Sequence, residues 1–264
     1  MNATPDAARA TQAAQAVYEL WKADAVTGAL PEAVRPRSRA EGYAVQAALR
    51  ALHGGSVPGW KIAATSVAGQ RHIGVDGPLA GPVFASRVFA NGASVSLASN
   101  RMRVAECEVV FGFRRAIDPR PEIWTREQAL SELATVGPGI ELPDSRFVHF
   151  ERAGLPQLIA DCACCNDMVL GAPIAAAGLE VLAQLPVRAQ MSDGRSFEGV
   201  GRNVLGDPVE ALLWFLNEMS EAGQRIEAEH FLTTGACVTP IPIEPGQSLQ
   251  ADFGWLGQMN VGFD

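Results

Sequence analysis

The sequence predicts an α+β fold, mainly antiparallel, with a helical region at its start. Three observations lead there. Helical spacing dominates the chain up to the Gly54-Gly55 pair. Beyond it, short strand-like runs alternate with Gly/Pro-rich loops such as GVDGPLAGPVF (residues 74–84). The few later helices are spaced irregularly, which argues against a regular βαβ repeat. The expected organisation is a helical region over residues 1–57 and a strand-rich domain over residues 58–264.

The elements follow in order. Thr4, Pro5 and Asp6 form a helix start, with Pro5 at the first helical position. Ala13, Ala16, Val17, Leu20 and Trp21 keep helical spacing, and Gly28 is the expected stop. SRAE (38–41) reads as a capping box opening a second helix that ends near Gly54-Gly55. GWKIA (59–63) and AECEVVFGF (105–113) read as strands. TREQ (125–128) is a capping box, with a helix expected to about Val136. GIELPDSRF (139–147) is a short strand leading into a turn, and LPQLIADCACCNDMVLG (155–171) reads as a buried helix of small residues. VRAQMSDGRSFEGVG (187–201) is a hairpin around Asp193-Gly194. DPVEALLWFLNEMSEAG (207–223) is a helix with Asp207 as cap, Pro208 at the first position and Glu210 completing the box. The remainder is strands and turns, in which Leu249, Ala251 and Phe253 alternate with polar residues.

Composition narrows the function. The 264 residues suit one large domain or a domain with a helical appendage. The formal net charge of −8, with RPRSR (35–39) as the one dense basic stretch, argues against nucleic acid or an anionic membrane as partner. The N-terminal stretch lacks the basic start and apolar core of a signal peptide, and no apolar run is long enough to span a bilayer. Five cysteines, three of them crowded into CACC (162–165), suit buried thiols in a reducing cytoplasm better than a disulfide framework or a zinc site. The four histidines are scattered, and no G-x-G-x-x-G after a strand, P-loop or G-x-S-x-G is present.

The chemistry is expected in the strand VAECEVVFGF (104–113). Side chains alternate along a strand, so Glu106 and Glu108 share a face. Glu141, between Ile140 and Leu142, is a third carboxylate in an apolar setting. Buried together, three carboxylates repel and must be protonated or neutralised by a cation. Oxygen-only ligands favour Mg²⁺ or Mn²⁺, and three monodentate glutamates leave about three octahedral positions for a bidentate ligand and a water. A 2-oxo acid chelates in that way. Lys61, between Trp60 and Ile62, either covers apolar surface with its stem or binds a carboxylate and transfers a proton. Thr65 and Ser66 follow it as candidate hydrogen-bond donors to substrate.

Taken in order, GWKIAATS (59–66), QRHIGVDGPLAGPVF (70–84), AECEVVFGF, GIELPDSRF, IADCACCNDMVLG (159–171) and IEPGQSLQADFGWLGQMNVGF (243–263) resemble the 2-keto-4-pentenoate hydratase and 4-oxalocrotonate decarboxylase group of the fumarylacetoacetate hydrolase superfamily. The resemblance runs from about residue 40 to the end. It implies a β-roll of mostly antiparallel strands, a Mg²⁺ or Mn²⁺ ion on Glu106, Glu108 and Glu141, and Lys61 as the substrate-contacting, proton-transferring residue. It also implies substrate approach to the backbone N–H groups at Ile73 and Gly74, and a homo-oligomer. The expected function is a metal-dependent hydratase acting on a small 2-hydroxydienoic or 2-oxo acid from aromatic degradation. The alternatives are a 4-oxalocrotonate-type decarboxylase, an acylpyruvate-type hydrolase and a non-catalytic metal–oxo acid binder. Two departures stand out. The family's acidic-aromatic pair in VDxPDFG is here Leu79-Ala80, and its ADN is here ADC, with Cys162 in place of asparagine.

Overall fold

The computed structural model describes residues 5–264. Its helices are α1 (Pro5–Lys22), α2 (Arg39–His53), α3 (Val67–His72), α4 (Arg126–Ser131), α5 (Phe150–Ala153), α6 (Leu155–Ala160) and α7 (Pro208–Glu221). The first strands are β1 (Gly59–Ala63), β2 (Leu79–Val83), β3 (Val88–Ala90), β4 (Ser94–Val95), β5 (Val104–Phe113), β6 (Leu133–Leu142), β7 (Asp167–Leu170) and β8 (Ile174–Ala175). They are followed by β9 (Pro186–Met191), β10 (Ser196–Val200), β11 (Phe231–Ala236), β12 (Ile241–Pro242), β13 (Ser248–Asp252) and β14 (Gln258–Phe263).

Two sheets form. The larger runs β2-β1-β11-β5-β6-β7-β3, with β12 beside β5 and β8 beside β6; the smaller runs β10-β9-β13-β14-β4. Most pairs are antiparallel, but β1 with β11, β3 with β7 and β4 with β14 are parallel. Both sheets are therefore mixed, since strands far apart in sequence are brought side by side by crossovers. The core is continuous across both sheets and the first two helices, from Val17 and Leu49 to Phe215 and Val261. Trp60 on β1 packs on Phe215 of α7 with ring centroids 5.9 Å apart.

Local signals set most elements. Ser38 accepts the Glu41 N–H and Gly54 takes the left-handed conformation that ends α2. Thr125 and Gln128 satisfy each other reciprocally. The Asp193-Gly194 hairpin joins β9 and β10, and Leu249, Ala251 and Phe253 are buried. All five cysteines are free and buried.

Other expectations change. Thr4 lies outside the described residues. Helix α1 stops at Lys22 rather than Gly28. Asp24 adopts φ 48° and donates to Trp21 O, while Ala25 N donates to Leu20 O. That is a Schellman stop with aspartate in the place usually held by glycine. Two capping boxes are half made: the Glu41 carboxylate takes Arg37 N–H and Arg9, and Glu210 pairs with Arg126. Helix α4 ends at Ser131 instead of Val136, because residues 133–142 pair along β5 and that ladder overrides a helical extension. The stretch 155–171 is not one helix. Helix α6 gives way to a turn in which Cys162, Ala163 and Cys164 take φ of 54°, 56° and 59°, and then to β7.

Candidate active site

Register assembles the carboxylates. On the β5–β6 ladder Glu106 stands directly opposite Glu141, and Glu108 opposite Gly139. Opposed residues share a face, so the alternation that groups Glu106 with Glu108 also brings in Glu141. One ligand oxygen from each lies within 4.8 Å of the others. Glu108 and Glu141 are fully buried, while Glu106 is half-buried on the wall of a cavity of about 720 Å³. Lys61 reaches the same face across β11, since Lys61 pairs with Thr233 and Thr233 with Val110 of β5. Its Nζ lies 2.9 Å from Glu141 Oε1 and donates to Ala163 O at 2.9 Å.

A bulge completes the floor. Thr233 pairs with Val110 and Ala236 with Glu108, so β11 carries one extra residue between them. Gly235 takes φ 103° there and points its N–H at Glu108 Oε2, 2.8 Å away. A Cβ on Gly235 would lie 1.8 Å from Thr65 Oγ1, so only glycine fits both the dihedral and the space.

The left-handed turn at 162–164 presents the Ala163 carbonyl to Lys61. Gly81 makes room for it: a Cβ there would sit 1.9 Å from Cys162 O. From behind, the buried Asp161 accepts from Ser145 Oγ (2.7 Å), from Arg146 N (3.0 Å) and from the Arg146 guanidinium. Arg146 also donates to Asp161 O and Cys165 O, and stacks over Trp21 at 4.6 Å. Three consecutive non-glycine residues at positive φ store strain that this network holds in place. Sequence reasoning missed Arg146 and Asp161 as positioning residues. The available signal was charge at adjacent positions inside two apolar motifs, DSRF and IADC.

Electrostatics leaves the site short of positive charge. Burial raises all three carboxyls. Glu106 is pushed up to about 7 by burial and by Glu141, against the pull of Lys61. Glu108 is raised well above the carboxylate range by burial and its two glutamate neighbours, and Glu141 is raised because burial outweighs Lys61. Burial would lower Lys61, but Glu141 and Glu106 outweigh it and hold the ammonium above the ordinary lysine range. Glu108 Oε1 and Glu141 Oε2 are buried without a hydrogen-bond donor, while Glu141 Oε1 faces the Lys61 ammonium. Three carboxylates and one ammonium leave two negative charges uncompensated. A single divalent cation would neutralise them and occupy the orphaned oxygens, so these residues fit Mg²⁺ or Mn²⁺. The thiol of Cys164, also on the cavity wall, is pushed up to about 12 by burial, which keeps it un-ionised.

Three of the other expected residues line the cavity. Thr65 and Ser66 line the cavity. Ser66 Oγ accepts from Gly69 N as the cap of α3, leaving its own hydrogen to donate. Ile73 lines the cavity, and the Ile73 and Gly74 N–H groups donate to Gly69 O and Arg71 O at the end of α3. Leu79 is fully buried opposite Ala63, on the face of Lys61. Ala80 points the other way: its N–H donates to Tyr43 Oη and its carbonyl accepts from Gln46, tying β2 to α2.

No protein-family model matches the chain. It is 30% identical over 225 residues to a 2-keto-4-pentenoate hydratase of Burkholderia vietnamiensis, covering 84% of each chain. It is 26% identical over 257 residues to the 2-keto-4-pentenoate hydratase of Paraburkholderia xenovorans, covering 96% of this chain and 94% of that one. In structure it resembles 4-oxalocrotonate decarboxylase from Pseudomonas putida G7, complexed with magnesium and adipate, with TM-score 0.88 over the full length of both chains at 22% identity. That likeness shows the fold, and the 30% relative shows the lineage. The chain belongs to the 2-keto-4-pentenoate hydratase family.

Proposed function

We propose that the protein is a metal-dependent hydratase that adds water to a small 2-hydroxydienoic acid of the 2-hydroxypenta-2,4-dienoate type. The observation that carries this reading is the triad of buried carboxylates, two charges short of neutrality, beside one ammonium at the floor of a cavity. Glu106, Glu108 and Glu141 would hold Mg²⁺ or Mn²⁺. A cation bound there supplies Lewis-acid stabilisation of the charge that develops on the 2-oxygen of a chelating substrate.

The chain's own groups do the rest. Lys61 stays protonated between Glu141 and Ala163 O, and so binds an anionic oxygen and passes a proton to or from it. Ketonisation moves the enol proton to the far carbon of the diene. Water then adds across the remaining conjugated bond, its hydroxyl going to C4 and its proton to C3. Thr65 and Ser66 donate hydrogen bonds to the acid end, and Ile73 lines the cavity beside them. In this reading residues 58–264 form the catalytic β-roll. Helix α2 buttresses it through Tyr43 and Gln46, and the enzyme works as a cytoplasmic homo-oligomer.

A second reading, decarboxylation of a 2-oxo-3-enedioate, is supported by 26% identity over 236 residues to a 4-oxalocrotonate decarboxylase of a Pseudomonas species. An assay with Mg²⁺ or Mn²⁺ on both substrates separates the two. Loss of dienol absorbance without carbon dioxide release is the expected result. Release of carbon dioxide from 2-oxohex-3-enedioate would favour the second reading, and no turnover of either substrate would overturn both.

A further inference from the structure

We infer that His72 is a second catalytic residue, the group that carries protons to and from the far carbons of the bound acid. This rests on the hydratase reading above and deepens it. The proposed reaction moves protons at two separate places. One is the acid end, at the carboxylate floor beside Lys61. The other is the end of the diene, which extends from the floor past Glu106, half-buried on the cavity wall, toward the mouth. Lys61 is 2% exposed and fixed between Glu141 and Ala163 O, so it serves the first place and not the second.

Among the described residues lining the cavity, four carry an exchangeable acid–base group: Lys61, Glu106, Cys164 and His72. Glu106 belongs to the carboxylate triad. The Cys164 thiol, pushed up to about 12 by burial, stays un-ionised. Leu79 is fully buried and brings no acid to the site. His72 remains, and its placement suits the role. Ala68, Gly69, His72 and Ile73 all line the cavity and recur at i, i+1, i+4 and i+5, so they form one face at α3. Val67, 63% exposed, stands on the opposite one. Strand β1, which sets Lys61 on the floor, leads straight into α3, which sets His72 at the rim. Among the described residues the His72 ring has no hydrogen-bond or ion-pair partner; it leans edge-on against Phe150, with centroids 5.8 Å apart. His149, next to Phe150, instead lies 3.5 Å from Glu151. An imidazole with both nitrogens uncommitted can donate through one and accept through the other. The side chain is exposed, so solvent can restore its proton.

The proton balance closes. The enol proton leaves to solvent at the floor. The His72 imidazolium gives a proton to C5, whose new C–H bond takes the C4–C5 π pair. The remaining double bond moves to C3–C4 and the 2-oxygen becomes a ketone. Neutral His72 then takes a proton from water as the water oxygen bonds C4 and the C3–C4 pair shifts toward the 2-oxygen. C3 receives a proton from Lys61, which solvent replaces. One proton has left to solvent, one has returned, and one water is consumed.

The test is the His72→Ala variant, assayed with Mg²⁺ on 2-hydroxypenta-2,4-dienoate. No residue of α3 is buried, so the fold should be kept. The expected result is a fall in kcat of about a hundredfold, with KM and Mg²⁺ affinity held within about threefold. Added imidazole should restore turnover at least about tenfold, which a structural loss would not allow. In the NMR spectrum of the Mg²⁺-loaded wild-type protein, the His72 ring signal, assigned by its absence from the variant, should shift when 2-oxopentanoate binds and stay in place with oxalate. Wild-type turnover in the variant, a loss that imidazole does not relieve, or a ring signal indifferent to 2-oxopentanoate would each overturn the inference and leave the hydratase reading standing. No turnover of the dienoate by the wild-type protein would overturn that reading and the inference with it.

Discussion

At the residue scale, the site is built on three glutamates whose carboxyls are raised because they are buried together with too little positive charge. Glu108→Gln keeps the shape and removes one charge. It should weaken Mg²⁺ binding by about a hundredfold or more. The melting temperature of the metal-free protein should not fall, since glutamine matches the neutral carboxyl that burial favours there. Lys61→Met should do the opposite: turnover drops by about a hundredfold or more while Mg²⁺ affinity stays within about tenfold. Calorimetry and steady-state kinetics read both variants; unchanged metal affinity in the first, or unchanged turnover in the second, would remove that residue from its role. The glutamates were legible in the sequence because strand alternation is a local rule, and Glu106 and Glu108 obey it. Arg146 and Asp161 were not, because their work is to hold a turn whose value appears only once Lys61 lies beneath it.

At the element scale, local grammar was readable where it was self-contained. The Thr125–Gln128 box, the αL stop at Gly54 and the Asp193-Gly194 hairpin need no distant partner. It failed where distant contacts decide. The turn at 162–164 depends on Gly81 of β2 leaving space for Cys162 O and on Arg146 behind it. The end of α4 depends on β5 pairing with residues 133–142. Gly81→Ala tests the first dependence. Its Cβ meets backbone, so the turn must shift, at a cost of about 1–3 kcal/mol. The variant should melt lower and lose turnover together, because Ala163 O moves relative to Lys61. A variant with wild-type melting and turnover would show that the turn is not pinned there.

At the scale of the whole molecule, the larger sheet gathers Lys61, the carboxylates of β5 and β6, and the bulge at Gly235 onto one face, although they are spread from β1 to β11. The departures at Leu79 and Ala80 sit inside this assembly as buried apolar residues, one on the face of Lys61 and one bonded to α2. The burial of so much like charge links stability to pH. Burial and Glu141 push the Glu106 carboxyl up to about 7, above the ordinary carboxyl range. A raised carboxyl stabilises the fold at low pH, and that contribution disappears as pH rises through about 7; Glu108 and Glu141 act in the same direction. Lys61 is held above the ordinary lysine range, so its contribution is lost only at higher pH. A divalent cation binds the deprotonated carboxylates and so reverses the loss.

The measurement that bears most directly on the central claim is therefore thermal unfolding between pH 5.5 and 8, with and without saturating Mg²⁺ or Mn²⁺. The metal-free protein should lose stability as pH rises across this range. The cation should raise the melting temperature by on the order of 5 °C at pH 8, and by much less at pH 5.5. A melting temperature indifferent to the cation at pH 8, or raised equally at both pH values, would contradict a metal centre built on Glu106, Glu108 and Glu141.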